Sequence, residues 1–292
     1  MSVILAGNHY WKSRVRMVKV TRHPDRHDLK EVTVGIQFEG DFETSYTAGD
    51  NSKVLPTDTM KNTVYALAKE NPVEQIEEFA LRLIAHFLKN TPQVRQVRIE
   101  IAEHLWTRIT VAGKPHNWAF TRSGNEKRIA VVTGTRSGVS VEAGIEDLVV
   151  LKTGGSGFEG YPGDRYTTLQ ETRDRILATA IRASWLYDGP EVAFGTCWYG
   201  VRQLLLDTFA EHDSRSVQHT LYAMGEAVLK TYEDILEIRL SLPNKHCLLV
   251  DLAPFGLENN NEIFVPVDEP HGLIEARLTR RGGSGGGSKA LF

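Results

Sequence analysis

Alternation of apolar and polar positions dominates the first 40 residues. Across residues 13–22, Val15, Met17 and Val20 are set against Arg14, Arg16, Lys19 and Thr21, and across 27–40 Val32, Val34, Ile36 and Phe38 recur at every second place. A period of two predicts two half-buried strands. The intervening His23-Pro24-Asp25-Arg26 supplies a turn. Over residues 72–90 the period lengthens: Ile76, Phe79, Ala80, Leu83, Ile84 and Phe87 share one helical face, with Glu74, Glu77, Glu78 and Arg82 opposite. Val97, Ile99 and Ile101 return to alternation, and 106–111, 126–136 and 139–152 read as further strands. Gly154-Gly155-Ser156-Gly157 opens a flexible segment, and Thr168-Leu169-Gln170-Glu171 fits a capping box for a short helix through 175–177. Helical patterns follow at 199–212 and 217–232, then strands at 235–242, 247–252, 263–267 and 273–279. Helices bracketed by antiparallel strands thus occur twice. No sequence repeat accompanies them, yet the order of elements suggests an α+β unit present in duplicate.

Composition narrows the class without naming a chemistry. The 292 residues can bury a large core, and 41% hydrophobic and 24% charged content with a mean hydropathy of −0.28 suits a soluble globular protein. A net charge of −3 gives no basic field for nucleic acid, and no apolar run is long enough for a membrane span or a signal peptide. Cys197 and Cys247, far apart in apolar surroundings, read as unpaired thiols of a reducing, cytoplasmic compartment. The ten histidines scatter without metal-ligand spacing. No dinucleotide fingerprint, Walker loop or nucleophile elbow occurs. The expectation is therefore no metal and no cofactor. Gly282 to Ser288 forms a glycine-serine tail of the kind added by engineering, and residues 282–292 are set aside from the fold.

Candidate chemistry gathers at loop-to-element junctions. Leu55-Pro56-Thr57-Asp58-Thr59-Met60-Lys61-Asn62 leaves a polar loop and enters a helical pattern, where free backbone N–H groups and a positive dipole end favour an anion. Thr57, Asp58 and Asn62 are also ordinary capping residues. Lys12 lies in His9-Tyr10-Trp11-Lys12, and Asn244 and His246 lie where one predicted strand ends and the next begins. Phe158 and Arg175 bracket the glycine-rich loop and short helix, and Ser216-Val217-Gln218 opens a helix. Singly, each has a plain structural reading: a strand lysine, a turn asparagine, a core aromatic, a solvated arginine.

Together these stretches resemble the urate oxidase (uricase) family. The matching segments are His9-Tyr10-Trp11-Lys12-Ser13-Arg14-Val15-Arg16, residues 57–65, Tyr166-Thr167-Thr168-Leu169-Gln170-Glu171 with Asp174-Arg175-Ile176-Leu177, Ser216-Val217-Gln218, and Ser241-Leu242-Pro243-Asn244-Lys245-His246. They span about residues 4–280. The resemblance implies an α+β tunnelling fold of two tandem T-fold domains, which we bound at 1–137 and 138–281. Each would be an antiparallel sheet with helices on one face, and four chains would form a homotetramer around a tunnel. Its active sites would lie at subunit interfaces, Thr57 and Asp58 coming from one chain and Phe158, Arg175 and Gln218 from its neighbour.

The partners so implied are urate and O2. Arg175 would present a bidentate fork to the urate anion, Gln218 an amide, Phe158 a ring face, and Val217 and Asp58 backbone groups. Lys12, Thr57 and His246 would form the catalytic proton relay, the lysine serving as base where desolvation or a nearby charge lowers its pKa. Asn244 with Thr57 would hold oxygen. Trp11 and Pro56 depart from the family's usual small residue and alanine, which bears on loop position. A zinc-dependent T-fold purine or pterin enzyme would need a His or Cys cluster that is missing. A catalytically silent purine-binding protein would have no need of Lys12, Thr57 and His246 together.

Overall fold

The computed structural model describes residues 2–280. The glycine-serine tail lies outside them. Among the described residues the chain forms an α+β structure with a large antiparallel sheet, whose eight strands neighbour one another in chain order. The described residues divide into two compact units: those up to Gly144 with Leu186–Thr196, and Ile145–Trp185 with those from Cys197 to 280.

The first unit begins with β1 (Tyr10–Arg22) and β2 (His27–Gly40), joined by the expected turn, in which the His23 N–H donates to the Arg26 carbonyl at 2.9 Å. Three helices follow, α1 (Glu43–Thr47), α2 (Thr57–Glu70) and α3 (Ile76–Asn90), then β3 (Val94–Val111) and β4 (Lys114–Thr135). Ala112 and Gly113, both with positive φ, make the two-residue turn between those strands. Such a turn matches the twist of a hairpin. Val32, Val34, Ile36 and Phe38 are fully buried on one face of β2, and Phe79, Leu83, Ile84 and Phe87 of α3 are buried on the side the helical period had marked. Each such side chain contributes roughly 1.5–3 kcal/mol of transfer free energy. Phe38 meets Phe87 edge to face with centroids 5.0 Å apart. Gly134 permits the close seating of β4 on α3, since a Cβ there would fall 2.4 Å from the Ile84 side chain.

The second unit contains the latter half of β5 (Gly138–Lys152), most of β6 (Leu177–Tyr187) and of α4 (Phe194–Glu211), then α5 (Val217–Thr231), β7 (Ile235–Leu249) and β8 (Phe264–Thr279). Ile181, Ala183 and Trp185 of β6 and Ile238, Leu240 and Leu242 of β7 are buried, as are Trp198, Val201 and Leu205 of α4 and Leu221, Met224 and Val228 of α5. Cys197 is buried and Cys247 half-buried, and they form no disulfide. No described helix is long and apolar enough to cross a membrane.

Two sequence expectations are overturned here. The capping box at 168–171 starts no helix: Glu171 accepts the Gly160 N–H at 2.7 Å, Phe158 and Thr172 exchange backbone bonds as an isolated bridge, and Leu177 opens β6. The glutamate that would have closed the capping box serves a distant loop amide instead. The strands expected at 235–242 and 247–252, and those at 263–267 and 273–279, are continuous as β7 and β8. Pro243 does not stop β7, because the ladder tolerates a missing N–H beside an irregularity.

Candidate active site

Within the first unit, Lys12 stands at a defect in the sheet. Pairing runs Lys12 to Ile36 and resumes at Val15 to Val34, so β1 carries one extra residue, and Arg14 in that bulge has φ 56°. A bulge bends its strand and re-aims the side chains beside it. The ring of Trp11 packs close to Gly35 on the neighbouring strand. Tyr10 anchors the next piece: its hydroxyl donates to the Leu55 carbonyl at 3.2 Å, while its ring meets Phe42 and Phe38 edge to face. Burial pushes the Tyr10 phenol up to about 12. That bond ties the loop before α2 to the strand bearing Lys12.

Thr57 is the first residue of α2. Pro56 occupies the cap position and makes no side-chain cap bond, so the capping reading of this stretch fails. Asp58 instead accepts from Lys61 at 2.5 Å and from Asn62 at 3.0 Å. These bonds hold its carboxyl below the usual range: Lys61 is the chief cause, and the positive charge of Lys12 acts in the same direction. The Thr57 hydroxyl has no hydrogen bond among the described residues, and the first-turn amides have no intrahelical acceptors. A helix start with a free hydroxyl and a nearby lysine can receive an anion and pass a proton.

In the second unit, Phe158 and Arg175 come together. The Arg175 guanidinium lies 5.2 Å from the centre of the Phe158 ring, whose other contact is a stacked Tyr161 at 4.8 Å. Burial lowers the Arg175 pKa, its Nε is buried without a hydrogen-bond partner, and no carboxylate pairs with it among the described residues. An uncompensated, partly desolvated guanidinium is a receptor for an anionic, planar group. Val217 and Gln218 open α5, capped by Ser216, whose Oγ accepts the His219 N–H at 3.1 Å. Val217 is buried and Gln218 exposed. A cavity of about 270 Å³ is lined by Gly157, Phe158, Glu159, Arg173, Asp213, Ser214 and Arg215. Neither Arg175, Val217 nor Gln218 lines it.

Asn244 and His246 sit within β7, not at the strand rim the sequence suggested. Asn244 pairs with Gly272 and His246 with Val267, so residues 268–271 loop out of β8 between them. Both residues are half-buried. Lys12 in one unit and this pair in the other thus share a setting: polar residues beside a break in an otherwise regular ladder. Among the described residues no group of three or more His, Cys, Asp or Glu is placed to hold a metal.

Sequence reasoning missed Tyr10, Tyr161, Ser214 and Thr220. Tyr10 lies two residues from Lys12 and Tyr161 three from Phe158, so both were open to discovery. Nothing in the sequence marks Ser214 and Thr220.

These observations define an α+β protein with a large antiparallel sheet, whose candidate residues stand at helix starts and ladder breaks. A family model described as Uricase matches residues 8–133 and 141–275. The uricase of Arthrobacter globiformis is 49% identical over 280 residues, covering 96% of this chain and 91% of its own. That of Aspergillus flavus is 40% identical over 300 residues, covering 96% and 98%. The crystal structure of the Arthrobacter globiformis uricase superposes with a TM-score of 0.92 at 48% identity, over 100% of this chain and 98% of that one. This chain belongs to the uricase family.

Proposed function

We propose that this chain is a urate oxidase, converting urate, O2 and water to 5-hydroxyisourate and hydrogen peroxide in the cytoplasm. Family membership across residues 8–275 carries the reading. The unpaired guanidinium of Arg175 over Phe158 supports it, because urate is flat and anionic near neutral pH. Two tandem T-fold domains and a homotetramer belong to the same reading. Thr57 and Asp58 of one chain meet Phe158, Arg175, Val217 and Gln218 of a neighbour around the substrate.

In this mechanism Phe158 stacks on the urate ring, Arg175 and Gln218 hold its polar edges, and backbone amides at Val217 and Asp58 complete the set. Lys12, through the Thr57 hydroxyl, removes a proton, and His246 extends the relay. The resulting dianion gives two electrons to O2 held by Asn244 and Thr57. A C–O bond forms as a hydroperoxide, water replaces the peroxide group, and H2O2 leaves with the two protons that balance it. The Lys12 bulge supports this role, since it re-aims that amine out of the regular strand pattern.

The test is purified protein with urate in air-saturated buffer without added metal or cofactor, following the urate absorbance band and peroxide. The expected result is loss of urate with one peroxide formed per urate. Retained urate, with a urate analogue still bound, would instead support a silent purine-binding protein.

A further inference from the structure

We propose that Ser214 and Thr220 are positioning residues: a buried hydroxyl pair that sets the start of α5, with Val217 and Gln218, against the segment that carries Phe158 and Arg175. The proposal rests on the urate-oxidase reading and adds to it two residues that touch no substrate.

Ser214 is the crossing point. Its N–H donates to the Gly155 carbonyl at 2.9 Å and its carbonyl accepts the Gly157 N–H at 2.7 Å, an isolated parallel bridge. On the far side of the same segment, the Arg175 N–H donates to the Ser156 carbonyl and the Phe158 N–H to the Thr172 carbonyl, each at 2.7 Å. Residues 155–158 are thus clasped between 172–175 and Ser214, and Phe158 and Arg175 take their positions from that clasp. Gly157 keeps this crossing close: a Cβ would lie 3.1 Å from the Arg173 carbonyl oxygen and 3.2 Å from that of Thr172, tighter than ordinary contact.

The side chain of Ser214 carries the registration onward to α5. Its Oγ donates to the Ser216 carbonyl at 3.0 Å and accepts from the Thr220 hydroxyl at 2.7 Å. Thr220 in turn donates its backbone N–H to the Ser216 carbonyl at 3.2 Å, so both hydroxyl residues converge on the residue that caps the helix. His212 Nδ1 lies 3.3 Å from the Thr220 hydroxyl on its other side. Ser156, Ser214 and Thr220 are all at most 1% exposed. The Ser156 Oγ is buried without a partner, so the side-chain link runs through Ser214. Water is excluded from this pair, and loss of one hydroxyl breaks the link between them, leaving Ser214 only the Ser216 carbonyl or Thr220 only His212 Nδ1.

A rigid cross-link of this kind acts on substrate placement. The ring and guanidinium are on one side of it and the Gln218 amide on the other, and misplacement of such groups by a fraction of an ångström weakens binding sharply. Chemistry at Lys12 and Thr57 does not pass through it. The expected signature is a KM effect without a comparable kcat effect.

The experiment compares wild type, Thr220→Val and Thr220→Ser in steady-state urate oxidation, with thermal melting of each. Valine keeps the shape and removes the hydroxyl. The expected result is a urate KM raised about tenfold with kcat within about twofold for Thr220→Val, and a KM near wild type for Thr220→Ser. Ser214→Ala, with the same expected split, stands in if the valine variant does not fold. An unchanged KM in the variant lacking the hydroxyl, or a Thr220→Ser variant as impaired as Thr220→Val, would overturn the proposal. An inert wild-type chain would overturn the functional reading and this inference with it, whereas an active wild type indifferent to Thr220→Val overturns this inference alone.

Discussion

Replacing Lys12 with alanine is expected to lower kcat by a factor on the order of 10² to 10⁴ while changing the affinity for a urate analogue by no more than a few fold. The asymmetry follows from where the residue sits. Lys12 is the last paired residue before the β1 bulge, and its charge reaches the Asp58 carboxyl at the start of α2, so in the proposed arrangement the amine serves the helix-start side of the site. Urate itself is gripped, in the proposed arrangement, by Arg175, Phe158 and Gln218, which are left intact. Stopped-flow turnover alongside equilibrium binding of the analogue separates the two effects. A strand lysine of no catalytic consequence predicts near-normal turnover, and that result would remove Lys12 from the relay.

The second large effect concerns stability. Arg128→Met should destabilise the protein by about 3–5 kcal/mol, read from the urea midpoint at fixed protein concentration. Arg128 of β4 donates to the Glu77 carboxylate at 2.6 Å and to the Gln75 Oε1 at 2.8 Å, and Glu77 in the first turn of α3 is fully buried. Removing the cation leaves an uncompensated carboxylate in the core. Arg16→Met provides the contrast, because Arg16 is half exposed beside Glu31 and that carboxylate keeps Trp106 and Arg122 as donors. Its cost should stay within about 1 kcal/mol.

The Arg128→Met deficit also has a predicted pH dependence. Burial raises the Glu77 pKa above its ordinary value, and Arg128 opposes that rise. Without Arg128 the folded-state pKa rises further. A carboxyl with a raised folded pKa favours the fold below its unfolded pKa, and that contribution is lost as pH rises through the folded value. The deficit should therefore be small in mild acid and widen toward neutral pH. A deficit independent of pH would mean that Glu77 is not the group responsible.

Some of this was open to reading in the chain. The alternation of Val32, Val34, Ile36 and Phe38 and the helical face from Ile76 to Phe87 were legible because one buried face imposes a strict period. β6 was not, because its inward positions include Ala183 and its neighbours Ala178 and Ala180 blur the alternation. The short helix expected near Arg175 failed because the capping glutamate is taken up by Gly160, a partner eleven residues away that no local window contains. The apolar pattern breaks between 242 and 247, which puts Asn244 and His246 at a strand end in the sequence reading. Here β7 runs on and the disturbance falls on β8, at residues 268–271. The candidate site was found through family resemblance across many short segments. Its supports, Tyr10 beneath the α2 loop and Ser214 with Thr220 beneath α5, depend on tertiary hydrogen bonds that residue spacing does not encode.

Urate oxidation at a site shared between two chains can be tested by complementation. Lys12→Ala and Arg175→Ala disable opposite halves of the site, so each homogeneous protein should be nearly inert toward urate. Co-expressed and purified as a mixed assembly, they should recover about a quarter of wild-type turnover, since random pairing joins an intact first unit to a neighbour's intact second unit in one site of four. A mixed assembly no more active than either variant alone would contradict the shared site and return the whole of it to a single chain.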